Sequence, residues 1–369
     1  MIYLDHSATS YPKPLAVKQA VQRAMERCTN PGRGGYAMAM EAAAAVYRCR
    51  EAAVDLFDCQ AEQVVFTGNC THGLNIAIRS LLPEGGRVVI SGFEHNAVTR
   101  LLHGMNARIT VAGRRVFDWQ DTLESFERAL KDGQDAAVFT HVSNVFGYVL
   151  PVYELARLCR RYGVPFVVDG AQSAGHLPLS LRKLGADFVA MPGHKGLLGP
   201  QGTGLLLCGS CPKPWMYGGT GNLSVQQTMP EDLPERVEAG TANVPGIAGL
   251  EAGIRTVKRI GVEQIGGKER LEAEKCAKAL ESMGMRVFHG SHQAGVVSFV
   301  PEWDCEDYAE AMARRGIALR AGLHCAPLAH ESAGTLESGT VRVSFGHTAC
   351  AAQSRAFLAS VRELQKGRM

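Results

Sequence analysis

No apolar run in this 369-residue chain approaches the roughly 18–20 residues needed to cross a bilayer, so a helical membrane protein is excluded. Net charge is nearly absent: 39 basic against 36 acidic residues leave +3, too little for a surface devoted to nucleic acid or another polyanion. The opening Met1-Ile2-Tyr3-Leu4-Asp5-His6 lacks the basic and apolar regions of a signal peptide, which points to a cytoplasmic chain. Repeats and low-complexity tracts are missing as well. The eleven cysteines are odd in number and scattered through a chain too long to need disulfide staples, so most are expected to be free and buried. Cys208 and Cys211 form a C-x-x-C, but no second pair stands at zinc-ribbon spacing and no H-x-x-x-H follows, so no metal is expected. Neither G-x-x-x-x-G-K-[ST] nor G-x-G-x-x-G occurs, which leaves the nucleotide readings weak.

The chain does have apolar material: 46% of residues are hydrophobic, enough for real cores, and the length suits two domains. Glycine is in excess, with 41 residues, and it clusters at strand ends where a backbone turns sharply or approaches a ligand. From about residue 60 to 210, short β-branched runs (64–67, 87–91, 136–140, 165–169, 187–191, 204–208) alternate with longer amphipathic stretches. Val152, Leu155, Ala156 and Cys159 recur at i, i+3, i+4, i+7, the stripe of a helix lying on a sheet. Strands with continuous apolar runs, separated by helices, predict an α/β fold with a mainly parallel sheet covered on both faces. Composition shifts to Gly, Pro and polar residues over 209–246. A long helical pattern then runs from about Ile247 to Glu281, with a break expected near Gly266-Gly267, and a smaller α+β region follows.

Ligands of open parallel sheets bind beyond the carboxyl ends of the strands. The polar residues at those ends are Gly68-Asn69-Cys70-Thr71-His72, Glu94-His95-Asn96, Asn144, Asp169 with Gln172, and His194-Lys195. The first is a strand–turn–helix whose free N–H groups suit a phosphate. A lone Asp ending a strand is usually a cap, and a lone Lys is usually solvated surface. Lys195 differs because glycines and apolar residues flank it, surroundings that lower an ammonium pKa as a Schiff-base lysine requires. Together, a phosphate cradle, an aromatic cation, an acid and a lysine at one rim make a cofactor site.

These residues, with Tyr3-Leu4-Asp5-His6-Ser7-Ala8-Thr9, Glu238-Ala239-Gly240-Thr241-Ala242-Asn243 and Arg320-Ala321-Gly322-Leu323-His324-Cys325-Ala326-Pro327, make the chain resemble the cysteine desulfurase/selenocysteine lyase family, in the class V aminotransferase group of fold-type I pyridoxal-phosphate enzymes. The resemblance runs nearly end to end. It implies a large cofactor-binding domain over 16–246 and a small domain from 1–15 and 247–369. Lys195 would carry pyridoxal 5'-phosphate as a Schiff base, and Asp169 would pair with the pyridine nitrogen and strengthen the electron sink. His95 would stack on the ring, with Asn144 and Gln172 near its phenolic oxygen. Thr71, the Cys70 backbone and His194 would hold the phosphate, and Thr241 would reach the phosphate of a neighbouring subunit, which implies a homodimer. Arg342 would take the substrate carboxylate as a fork, with Arg320 close by. Cys325 would be the nucleophile, its thiolate stabilised by Arg320 and His324.

The implied reaction converts L-cysteine to L-alanine and leaves a persulfide on Cys325 for a sulfur-acceptor protein; L-selenocysteine is the alternative substrate. Other readings are an aminotransferase, another C–S lyase, or a non-enzymatic scaffold. Three positions depart from the family pattern: His6 for Asn, Pro192 for a phosphate-binding Ser, and Gly346-His347-Thr348 for aromatic-Asn-Thr.

Overall fold

A computed structural model describes residues 1–32, 34–221 and 224–366. In chain order the first half reads β1 (Ile2–Tyr3), α1 (Leu15–Arg27), α2 (Ala37–Phe57), β2 (Val64–Thr67), α3 (Cys70–Leu81), β3 (Arg87–Ser91), α4 (Asn96–Gly104), β4 (Arg108–Ala112), α5 (Trp119–Lys131) and β5 (Ala136–Thr140). It continues through α6 (Val152–Tyr162), β6 (Phe166–Asp169), α7 (Leu181–Leu184), β7 (Phe188–Pro192) and β8 (Gly204–Cys208). The rest comprises α8 (Val244–Ile260), α9 (Val262–Ser282), β9 (Arg286–Phe288), β10 (Val296–Val300), α10 (Cys305–Arg314), β11 (Ile317–Ala318), β12 (Arg320–Gly322), α11 (Pro327–Ala333), β13 (Thr340–Ser344) and α12 (Ala351–Lys366).

The main sheet has seven strands in the order β2-β8-β7-β6-β5-β3-β4. All neighbours run parallel except β8, which is antiparallel to both β2 and β7. Alternate residues of each strand feed two cores. Val89, Phe139, Val168 and Met191 meet α2, α5, α6 and α8, whereas Ile90, Val138, Val167 and Ala190 meet α3 and α4. Burial on both faces explains why the strands read as unbroken apolar runs. The α6 stripe is buried as its spacing predicts. A four-stranded antiparallel sheet, β12-β13-β10-β9, packs with α9, α10 and α12 around a third core. The chain's beginning joins that core: β1 pairs with β11, and Leu4 is buried among its side chains.

The long helical pattern breaks at Gly261, not at Gly266-Gly267. Gly261 has φ 95°, a backbone that L side chains rarely adopt, and α9 then runs without interruption through both later glycines. Gly266 serves packing instead, because a Cβ there would stand 2.1 Å from the His176 carbonyl oxygen, whereas one at Gly267 would meet nothing within 4 Å. Gly266→Ala is therefore expected to cost about 1–3 kcal/mol in urea denaturation. Gly267→Ala, relieved only of its helix-interior glycine, should gain up to about 1 kcal/mol.

Candidate active site

The carboxyl ends of β2, β3, β5, β6 and β7 deliver their following residues to one cavity of about 300 Å3, walled on the far side by β12, β13 and the segment before α11. Cys70, Thr71, His95, Asn144, Asp169, Gln172, His194, Lys195, Arg320, Cys325 and Arg342 all line it. Thr241 does not. It lines a separate cavity of about 880 Å3 together with Thr67, Arg50 and Glu238.

Lys195 is held on the glycine-bracketed turn after β7, where burial lowers its pKa and the charge of Asp169 opposes that shift. Its amine is thus driven toward the neutral, nucleophilic form. Asp169 Oδ1 accepts from Ala171 N at 2.8 Å and lies 3.5 Å from Cys70 Sγ. At the start of α3, Asn69 caps His72 N, and the first-turn amides of Cys70 and Thr71 have no helical acceptor. These groups suit an anion.

His95 caps α4 by accepting from Ala97 N through Nδ1, and burial lowers its pKa, so the ring is neutral with its proton on Nε2, not the cation expected from sequence. His194 is also neutral: burial, then the charge of Lys195, lowers its pKa to about 4. The His194 carbonyl accepts from Thr9 Oγ1, Ser10 Oγ and Lys13 Nζ, and His194 Nδ1 lies 3.1 Å from the same Thr9 hydroxyl, so the ring is held on both sides by the opening segment. Asn144 and Gln172 each spend one amide hydrogen on the backbone, at His324 O and Ser7 O, and keep one.

Cys325 is exposed, with φ 56°, next to His324 at φ 49°. Its carbonyl is pinned by Asn96 N at 2.8 Å, and its sulfur lies within the fields of Arg320 and Arg342. The expected help from His324 is corrected by the structure. That ring turns away to Thr340 through Nε2, and burial, then Arg342, pushes its pKa well below the ordinary value. It is neutral, so the two arginines are the cations near the thiol.

The role-by-role reading missed Asp5, Ser7, Thr9 and Thr140. Asp5 pairs with both arginines, Ser7 and Thr140 line the cavity, and Thr9 orients His194. For the first three of these the opening motif was the available signal. The departures at His6 and Gly346 stand against each other, since a Cβ at Gly346 would stand 2.1 Å from His6 Nδ1. The ring at position 6 fills the place where a side chain at 346 would begin. Pro192 ends β7 and lines the cavity without a hydroxyl to offer.

Beside His95, Glu94 is fully buried and accepts from Ser91 Oγ and, at 2.9 Å, from Thr140 N, tying the ends of β3 and β5 together. Burial raises its pKa from 4.5 to about 8. The folded state thus keeps a proton that the unfolded chain releases above pH 4.5, and stability falls as pH rises from there toward 8. Glu94→Gln is expected to flatten that fall in melting temperature measured across the same range.

Residues 2–357 match the family described as Aminotransferase class-V. A probable cysteine desulfurase of Methanothermobacter thermautotrophicus is 33% identical over 361 residues, covering 93% of this chain and 89% of the relative. Another, of Pyrococcus abyssi, is 31% identical over 99% of this chain and 94% of its own. Among solved structures, the apo cysteine desulfurase of Thermococcus onnurineus superposes with a TM-score of 0.91 at 31% identity, covering 99% of this chain and 95% of that one.

Proposed function

Because the chain belongs to the class-V aminotransferase family, we propose that it is a pyridoxal-phosphate-dependent cysteine desulfurase that converts L-cysteine to L-alanine and keeps the sulfur as a persulfide on Cys325. One observation carries this reading beyond the family: an exposed cysteine shares a cavity with the buried lysine, the strand-end aspartate and two arginines.

The residues fit the cofactor. Lys195 would hold it covalently, Asp169 would face its ring nitrogen, and His95 would cover the ring. The amides of Cys70 and Thr71 and the Thr71 hydroxyl are donors suited to its phosphate, with the His194 ring beside them, whereas Pro192 offers no hydroxyl. When bound, pyridoxal phosphate supplies an electron sink for the pair left at Cα as the proton departs.

The protein residues do the rest. Arg342 Nε is buried and without a partner, a donor left for the substrate carboxylate. The neutral Lys195 Nζ takes the Cα proton and later returns one to the product. The Cys325 thiolate attacks the substrate sulfur; the new S–S bond forms as the C–S bond breaks, and the C–S electron pair stays on the β-carbon, which takes one proton from solvent to become the methyl group of alanine. Thr241 stands off its own chain's Lys195 cavity, among residues that include exposed Tyr47 and Met216. That placement supports a homodimer in which Thr241 completes the partner's phosphate site. Light scattering should give the mass of two chains, and a fully active single chain would exclude the shared site. The persulfide would pass to a sulfur-acceptor protein.

The test is to incubate the holoenzyme with L-cysteine, and in parallel L-selenocysteine, quantify alanine, and weigh the Cys325 peptide before reduction. Alanine with one added sulfur on that peptide is expected. Keto-acid-dependent amino transfer without it would overturn the reading.

A further inference from the structure

The turn after β6 and the turn that carries Lys195 are pressed together. A Cβ at Gly175, whose φ is 84°, would stand 2.3 Å from Gly196 O. One at Gly196 would stand 2.2 Å from Ala174 O and 2.5 Å from both His176 Cδ2 and Nε2. The His176 ring therefore lies with that edge against the residue next to Lys195. Its other edge is bonded to α9, where Nδ1 lies 2.8 Å from Glu269 Oε2. The His176 carbonyl meets the same helix three residues earlier, at Gly266. Glu269 is 3% exposed in its side chain, and its Oε1 has no hydrogen-bond partner among the described residues, so His176 is what holds this carboxylate.

Burial works to lower the His176 pKa, but the charge and hydrogen bond of Glu269 outweigh it and raise it above 6.5, while the charge of Lys195 opposes them. His6 of the opening segment and His347 after β13 also stand within its field. Burial, then His347 and His176, lowers the first to about 3; burial, then His176 and Lys13, lowers the second. Of the three rings, His176 is the one biased toward the cation.

Resting on the desulfurase reading for the chemistry of Lys195, we propose that His176 is a positioning residue: clamped to α9 by Glu269, it props the Gly196 backbone and so sets where the Lys195 amine stands relative to the substrate Cα. A base that takes and returns a proton works only from close range, and a small displacement costs much of the rate. The imidazolium also works against an ammonium on Lys195, since the repulsion between the two is mutual.

The experiment follows exchange of the Cα hydrogen of L-alanine for deuterium by the holoenzyme, a step that needs Lys195 but no thiol. In His176→Ala, exchange per bound cofactor should fall about tenfold or more, with affinity for L-alanine unchanged. Trace acetylation of the apo protein, read on the Lys195 peptide across pH, should shift to higher pH. If His176→Ala does not fold, His176→Asn serves, because it keeps a donor for Glu269 but withdraws the edge that meets Gly196; the same fall and shift are expected. Glu269→Gln, which still accepts from the ring, should keep exchange within about threefold of wild type. A His176 variant that melts lower but exchanges at the wild-type rate, or one whose Lys195 acetylation profile does not move, would overturn the proposal. Failure of wild type to fix pyridoxal phosphate on Lys195 would instead overturn the desulfurase reading, with the apo acetylation profiles still reporting on His176.

Discussion

Cys325→Ala is expected to bind cofactor and L-cysteine like the wild type and to lose alanine formation by at least about a thousandfold, the scale on which covalent catalysis collapses without its nucleophile. The competing thiols are poorly placed. Cys70 is the other cysteine lining the cavity, but burial, then the charge of Asp169, pushes its pKa well above the ordinary value. Cys49, Cys159, Cys208 and Cys276 are buried in the cores, and burial raises each of them. Cys325 alone combines exposure with two nearby arginines. The substitution is also a clean one, because alanine meets the same left-handed backbone at φ 56° that cysteine already tolerates. A variant forming alanine at the wild-type rate would point to a simple lyase that needs no thiol.

Lys195→Met should abolish activity, by at least about ten-thousandfold, while leaving the apo protein as stable as wild type or more so. The loss follows from removing both the covalent anchor and the base at Cα. The stability follows from burial: the amine sits desolvated, with its charged form opposed by its surroundings, and methionine keeps an apolar stem of similar length. The checks are borohydride fixation of the cofactor, mapped to the Lys195 peptide in wild type and absent from the variant, and thermal melting of both apo proteins. Fixation on another lysine would displace Lys195 from its role.

The chemistry at the strand ends was legible because local sequence carries it. Apolar runs such as Ala136–Thr140 and Phe166–Asp169 mark strands by composition alone, and in a parallel sheet the next polar residues must fall on one rim. β4 was not legible in the sequence, since it is a half-exposed edge strand whose burial alternates, weakening its apolar signal. The helix break was misplaced for a similar reason. Gly261, Gly266 and Gly267 are the same letter in sequence, but only a positive φ at one and a carbonyl 2.1 Å from another tell them apart.

Tertiary structure alone decided the charges. His324 reads as a cation beside Cys325 until burial and its turn toward Thr340 make it neutral, and Asp5 reads as a motif letter until the pairing of β12 with β13 brings two arginines to it across more than 300 residues of chain. Residue types and their order specify which groups reach the rim. Protonation and pairing depend on desolvation and on neighbours distant in sequence, and those exist only once the chain has folded.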